Sequence, residues 1–174
     1  MLLVATDPAF ARHNPGAGHP ERAQRLDAAL DDVGGERARG ATLNLPFPAG
    51  TTGDTYLRAL DEVVAPAVEA FGPTWVLVSA GYDAHRADPL TDLGLSAGDF
   101  ADLARRVAAF APQPGRMILY LEGGYDLDAL TTSVGASLAA LVERPFRPEP
   151  STSGGPGGTV VDAARRLREE LGGA

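Results

Sequence analysis

The chain contains 174 residues, of which 44% are hydrophobic and 22% are charged, and its formal net charge is −8. This length suits one domain with a sizeable buried core. The acidic balance argues against general nucleic-acid binding, because phosphate contacts need clustered Lys and Arg. No cysteine is present. Disulfides, thiolate catalysis and Cys-ligated metals are therefore excluded, and any metal site must use His, Asp or Glu.

Features of membrane insertion and secretion are not visible in the sequence. No apolar run approaches the roughly 18–20 residues that a membrane-spanning helix needs. The first six residues lack the basic segment of a secretory signal. Together with the lack of cysteine, this predicts a cytoplasmic protein with no membrane partner.

The hydrophobic pattern predicts strands that alternate with helices. In chain order we expect a strand at 2–4, a helix at 20–33, a strand near 42–45, a helix at 54–71, a strand at 75–78, a helix at 96–110 that opens with a capping box, a strand at 117–121, and helices at 128–142 and 160–171. Pro66 is expected to kink the 54–71 helix or to split it. The predicted organisation is an α/β domain over 1–144, a Pro- and Gly-rich linker over 145–158 and a C-terminal helix over 159–174.

This succession predicts a parallel sheet with helices on both faces and right-handed crossovers. The strands at 75–78 and 117–121 are apolar throughout, as expected of strands that are covered on both faces. Ligands of such sheets bind beyond the carboxyl ends of the strands. The loops that follow these two strands should therefore share one edge of the sheet.

The first of these loops covers residues 79–90 and contains Asp83, His85 and Asp88. A carboxylate at a strand end is a suitable ligand for a divalent cation. Asp also caps turns and helices, so the residues alone leave a ligand role and a structural role open. His85 stands alone in the loop, where a structural role is the simpler interpretation.

The second loop places Tyr125 directly after Gly123 and Gly124. Glycines allow positive φ and let a substrate approach the backbone closely. A phenol at this position could donate a hydrogen bond to a developing oxyanion, an interaction worth roughly 3–4 kcal/mol. The alternative is a glycine-rich turn whose Tyr packs against the sheet. Near the start, His13, His19 and Glu21 are candidate ligands whose spacing fits the beginning of a helix better.

Four stretches, in this order, resemble the histone deacetylase superfamily, on the side that includes bacterial acetylpolyamine amidohydrolases and acetoin-utilisation proteins. They are GHPERAQRL, RGATLNLPFPAGTTGDTYLRAL, VLVSAGYDAHRADPLTDLGLS and ILYLEGGYDLDAL. The resemblance implies the three-layer arginase/deacetylase-like fold. It also implies zinc-dependent hydrolysis of acetyl-amides, with an acetylated polyamine or an acetyl-lysine as substrate.

The resemblance also implies roles for single residues. Asp88 matches an aspartate ligand of the catalytic zinc, and Tyr125 matches the tyrosine that polarises the acetyl carbonyl. Three residues match the wall of the acyl tunnel and one matches an internal channel: Gly123, Gly124 and Leu95 for the tunnel, and Arg25 for the channel. Asp83 and His85 belong to the signature and are expected to shape the loop.

One large departure separates the chain from this family. The resemblance implies a middle region that holds a tandem His-His acting on the metal-bound water and an Asp-x-His pair giving the other two zinc ligands. Here Val33 is followed by Gly34-Gly35-Glu36, two further residues and then the RGATLNLP segment, which begins at Arg39. The sequence therefore predicts an internal deletion near 33–36, which leaves unpaired strand edges.

Three hypotheses follow. The first is a deacetylase-like protein with an incomplete site and little or no hydrolase activity. The second is an active zinc amidohydrolase with substitute ligands from His13, His19 or His85 together with Asp83 and Asp88. The third is a non-enzymatic remnant of the fold that binds acylated amines, forms a homo-oligomer or completes its sheet with a partner.

Overall fold

The computed structural model describes residues 40–171. Its elements are α1 (Gly53–Ala59), a π-helical turn (Leu60–Val64), α2 (Ala65–Phe71), β1 (Val76–Gly81), α3 (Ala97–Ala108), β2 (Met117–Gly123), α4 (Leu127–Leu141) and α5 (Gly158–Glu170). The order confirms the predicted α/β class. The predicted strand at 2–4, the helix at 20–33, the junction near 33–36 and Arg25 lie outside the described residues.

The helix predicted over 54–71 is divided, as the sequence indicates. Pro66 lies in the first turn of α2 and follows the π-helical turn. Because proline has no N–H, it cannot donate to the carbonyl four residues before it, and the wider turn accommodates the lost bond. Gly72 then ends α2 in the left-handed conformation, with φ 61°.

The capping box predicted at α3 is confirmed. Ser96 accepts a hydrogen bond from the amide of Asp99, and the Asp99 carboxylate accepts one from the amide of Ser96. These bonds satisfy amides that the helix itself leaves without partners. Both residues are fully buried, so the start of α3 is fixed within the interior of the protein.

The sheet in the described part of the chain has two parallel strands. β1 and β2 run in register from Val76 opposite Met117 to Ala80 opposite Leu121, and an irregularity follows at Gly81. The predicted parallel pairing is confirmed. One face of the sheet, called the inner face, packs against α3 and α4. On this face Ala80 joins a cluster in which Tyr82 packs on Phe100, with ring centroids 4.9 Å apart.

The outer face of this sheet is exposed, so the cover expected on both faces is not found within residues 40–171. Leu77 is 54% exposed, Ile118 is 40% exposed and Tyr120 is 49% exposed. Because the strands are apolar throughout, we expected helices to cover both faces. Residues 40–171 supply helices to one face only. The outer face therefore leaves apolar side chains in contact with water.

The main core lies where α1, the π-helical turn and α5 meet the segment that precedes α1. Leu43, Leu45 and Phe47 of that segment are buried with Val63 and Val161. Thr42 forms a single β-bridge and residues 43–48 have no regular secondary structure, so within the described residues the strand predicted near 42–45 is reduced to that bridge. The alternating apolar side chains of this segment pack into the main core.

Residues 145–157, called the strap below, connect α4 to α5 without helix or strand. Its polar side chains are bonded to α3: Thr152 Oγ1 donates to Asp99 Oδ2 at 2.7 Å, and Arg147 Nη2 donates to Asp102 Oδ2 at 2.7 Å. A stretch with the composition of a linker is thus packed against the domain. Among the helices described, none has the length and apolar character for a membrane crossing.

Candidate functional site

The two loops that the sequence singles out meet at one edge of the sheet. β1 ends at Gly81 and β2 ends at Gly123, and the amide of Tyr82 donates to the carbonyl of Gly123 at 2.9 Å. The first loop then turns twice, with His85 N donating to Tyr82 O and Asp88 N donating to His85 O. These turns place Asp88 next to the loop that follows β2.

Asp88 joins the two loops directly. Its Oδ2 atom accepts hydrogen bonds from the amides of Tyr125 at 2.6 Å and Asp126 at 3.1 Å. Its Oδ1 atom accepts one from the amide of Leu90 at 2.9 Å. The side chain is buried, with 5% of the residue exposed. Bonds from neutral donors to a buried carboxylate are among the stronger ones in proteins, so Asp88 fixes the backbone at Tyr125.

A second carboxylate, Asp83, lies between the strand ends. A Cβ atom at Gly81 would stand 2.6 Å from Asp83 Oδ1, and one at Gly123 would stand 3.0 Å from it. A side chain at either position would therefore have to displace the Asp83 carboxylate. The hydroxyl of Thr91 also donates to the Asp83 carbonyl at 2.6 Å, which ties the end of the first loop back to its start.

Replacing Gly124 with alanine is expected to lower the free energy of unfolding by about 1–3 kcal/mol. Gly124 has φ 130°, and a Cβ there would stand 2.8 Å from Leu130 Cδ1 and 3.2 Å from Tyr82 Cβ. Urea unfolding measures this loss. Gly115→Ala is the matched control, since it also has positive φ but open space around its Cβ position. Equal losses in both variants would show that the contacts of this Cβ with Leu130 and Tyr82 do not cause the loss.

His85 connects the first loop to the strap. Its ring is buried, and Nδ1 accepts a hydrogen bond from the amide of Ala87 at 3.2 Å. Nε2 lies 2.8 Å from Glu149 Oε2, and it must carry the proton because Nδ1 acts as an acceptor. Glu149 also accepts from the amide of Ala97 and from Arg86. Burial acts to raise the pKa of Glu149, but these three partners outweigh it and lower the pKa to about 2.

Lowering the pH is expected to weaken the contact between Glu149 and His85. Because the pKa of folded Glu149 lies below its ordinary value of 4.5, the carboxylate stabilises the fold above about pH 4.5, and this contribution is lost as the pH falls toward 2. In Glu149→Gln no proton binds at this position, so the free energy of unfolding should fall less steeply over that range. Urea unfolding at a series of pH values measures the slope, and equal slopes in both proteins would contradict the assignment.

The remaining predicted site residues differ in their surroundings. Tyr125 is 61% exposed, so its phenol is accessible to a ligand. Leu95 is 1% exposed and packs with Tyr82 and Phe100 beneath the loop. Its backbone pairs with the first loop, where Arg86 N donates to Leu95 O at 2.8 Å. The tunnel role of Leu95 stays a prediction.

The described residues do not fit a catalytic zinc ion. Zinc sites of this kind take about three protein ligands, and no group of three His, Cys, Asp or Glu side chains within 40–171 could hold a metal. Asp83-Ala84-His85 has the Asp-x-His spacing. However, both ring nitrogens of His85 are engaged by Ala87 and Glu149, and the oxygens of Asp88 are engaged by backbone amides.

Sequence reasoning missed Glu149 and Tyr56. Glu149 lies in a Pro-rich segment 64 residues from His85, and no local pattern links them. The hydroxyl of Tyr56 is buried and has no hydrogen-bond partner among the described residues. Burial, and next the charge of Asp83, raise the pKa of this phenol, so it stays neutral.

Comparison with known proteins identifies the family. The model of the histone deacetylase domain matches residues 14–141. The chain is 41% identical over 148 residues to histone deacetylase 10, chloroplastic, of Oryza sativa subsp. japonica. The aligned region covers 82% of this chain and 32% of that protein. It is 37% identical over 116 residues to a probable deacetylase of Archaeoglobus fulgidus, which covers 66% of this chain and 30% of that protein.

Solved structures agree with the sequence matches. The structure of the HDA15 HD domain superposes with a TM-score of 0.73 at 26% identity, over 98% of this chain and 43% of that one. The histone deacetylase Clr3 has the same fold, with a TM-score of 0.77 at 24% identity, over 97% of this chain and 31% of that one. The chain spans about a third of the length of the curated relatives named above. The names of these relatives do not single out an acetylpolyamine substrate. The chain belongs to the histone deacetylase family.

Proposed function

We propose that this chain forms one part of a deacetylase-type site, with Tyr125 as a hydrogen-bond donor to the oxygen of an acetyl-amide. We also propose that the 174-residue chain hydrolyses such amides weakly or not at all. One observation carries this proposal. Asp88 accepts from three backbone amides, and residues 40–171 supply no further ligands around it. The family reaction depends on zinc, and the donor set within residues 40–171 is too small to hold it.

Sequence content supports the same conclusion. The chain has three histidines, at positions 13, 19 and 85, and no two of them are adjacent. The tandem His-His that the family places beside its metal-bound water therefore has no counterpart in these 174 residues. Without a positioned base, a water molecule gains little nucleophilic character. The proposed substrates remain an acetyl-lysine or an acetylated polyamine, and the proposed location is cytoplasmic.

Turnover and binding together test this proposal. The purified chain would be supplied with zinc and assayed with an acetyl-lysine peptide and with an N-acetylated polyamine. We expect no turnover above that of Tyr125→Phe. If the peptide binds, the variant should bind it about three- to tenfold more weakly, since one hydrogen bond is lost. Turnover that Tyr125→Phe lowers by about 10²-fold or more would contradict the proposal and favour an active enzyme.

A non-enzymatic role as a partner subunit is the second candidate, and the exposed outer face of the sheet favours it. Leu77 and Tyr120 lie on this face, and within the described residues β1 and β2 pair only with each other. We propose a second copy of the chain as the partner. Sedimentation velocity of the chain and of Tyr120→Arg tests this. A dimer that the substitution dissociates would support the role, and a monomer at all concentrations would contradict it.

A further inference from the structure

The strap reaches the candidate site through one side chain. It follows the stretch that the histone deacetylase model matches, which ends at residue 141. Most of its anchors are on α1 and α3, but Glu149 is bonded to the loop that carries Asp88. We propose that Glu149 is a positioning residue: it holds the Asp88 loop in place through His85, and with it the backbone at Tyr125.

The contacts of Glu149 are concentrated on one oxygen. Oε2 accepts from the amide of Ala97 at 2.7 Å and lies 2.8 Å from His85 Nε2. Oε1 accepts from Arg86. Ala97 is the first residue of α3, so the carboxylate also sits where the partial positive charge of a helix amino end favours an anion. One side chain therefore links the strap, the start of α3 and the loop.

From His85 the connection continues along the loop to the second strand end. The ring is locked from both sides, because Ala87 N donates to Nδ1 while Nε2 donates to Glu149. The carbonyl of His85 accepts from the amide of Asp88 at 2.8 Å. Asp88 then accepts from the amide of Tyr125. The position of Tyr125 thus depends on a contact outside both strand-end loops, whether or not the chain hydrolyses amides.

Amide hydrogen exchange on the intact chain tests this proposal at the residues concerned. Glu149→Ala should raise the exchange rates of the Ala87, Leu90 and Tyr125 amides about tenfold or more relative to the β1–β2 amides, because local opening becomes easier. Asp102→Asn is the matched control: it removes the charge and one of the two oxygens that accept from Arg147 and Ser151 of the strap, and it leaves the His85 contact in place. It should leave those three rates unchanged.

Two further readouts separate positioning from a general loss of structure. Glu149→Gln keeps one carbonyl oxygen for both His85 and Ala97, so it should restore most of the protection that Glu149→Ala removes. The Nε2–H proton of His85 should be protected from exchange with water in the wild type and in Glu149→Gln, where an oxygen accepts it, and should lose this protection in Glu149→Ala. If Glu149→Ala does not fold, Glu149→Asp, which withdraws the carboxylate by one methylene, takes its place.

The proposal would be overturned if Asp102→Asn raised the exchange rates of the loop amides as much as Glu149→Ala did. It would also be overturned if Glu149→Ala changed only the amides of the strap, or if the Nε2–H proton of His85 kept its protection after loss of the carboxylate. The proposal is supported if Glu149→Ala lowers the exchange protection of the Ala87, Leu90 and Tyr125 amides alone and Glu149→Gln restores it.

Discussion

Asparagine in place of Asp88 is expected to lower the free energy of unfolding by about 2–3 kcal/mol, with no metal present. The carboxylate accepts from Leu90 on one oxygen and from Tyr125 and Asp126 on the other. Asparagine has only one acceptor oxygen, and its NH₂ group would face at least one backbone N–H. A buried donor would lose its partner, and the link between the two loops would weaken.

Urea unfolding in a chelating buffer measures this effect, so that no bound metal contributes. Asp128→Asn is the matched control, because Asp128 is exposed in the first turn of α4. The free energy of unfolding of this control should stay within about 0.5 kcal/mol of the wild-type value. A loss in Asp88→Asn no larger than in this control would show that Asp88 does not stabilise the loops.

Alanine in place of Asp99 is expected to lower the free energy of unfolding by about 3–4 kcal/mol. Asp99 is fully buried, and its carboxylate accepts from Ser96 and Thr152 through four hydrogen bonds. Removing it leaves the buried amide of Ser96 and the half-buried amide of Thr152 without these acceptors. It also removes the capping box of α3 and an anchor of the strap in a single change.

Asp102→Asn provides the comparison for Asp99→Ala, since Asp102 lies on the same helix and also bonds the strap. Arg147 holds the pKa of Asp102 below its ordinary value, with burial opposing it and Ser151 assisting. This ion pair is partly exposed, so its loss should cost only about 0–1 kcal/mol. Thermal or urea unfolding of both variants measures the difference, and similar losses would contradict the role of buried hydrogen bonds.

The parts of the fold that depend on local patterns could be predicted from the sequence. The Ser96–Asp99 capping box depends on residues three apart, and the disruption at Pro66 depends on a missing N–H. The two apolar runs and the helix between them were sufficient to predict parallel pairing. That pairing in turn predicted that the Asp88 and Tyr125 loops would meet, as the structure confirms.

The parts that depend on distant residues could not be predicted in this way. The contact of Glu149 with His85 joins positions 64 residues apart, and nothing in the Pro-rich strap marks one acidic residue as special. The apolar residues of β1 and β2 were correctly assigned to a sheet. Whether Leu77 and Tyr120 are covered depends on other layers of the fold, and residues 40–171 cover one face only.

The histidine in the first loop shows why a motif alone did not decide between chemistry and structure. The sequence offered His85 and Asp83 both as loop-shaping residues and as substitute ligands. In the structure, the His85 ring bonds Ala87 and Glu149, which leaves no lone pair for a metal. Its environment, and not its residue type, removes it from the set of substitute ligands.

Zinc stoichiometry distinguishes two roles of Asp88, a clamp between two loops in a chain without a complete zinc site, or a ligand of bound zinc. The 174-residue chain would be dialysed against buffered zinc, passed over a sizing column and measured by elemental mass spectrometry, with Asp88→Asn and Asp128→Asn alongside. Because we propose the clamp, we expect well below one zinc per chain in the wild type and in Asp128→Asn. One zinc per chain, lost in Asp88→Asn and retained in Asp128→Asn, would contradict it.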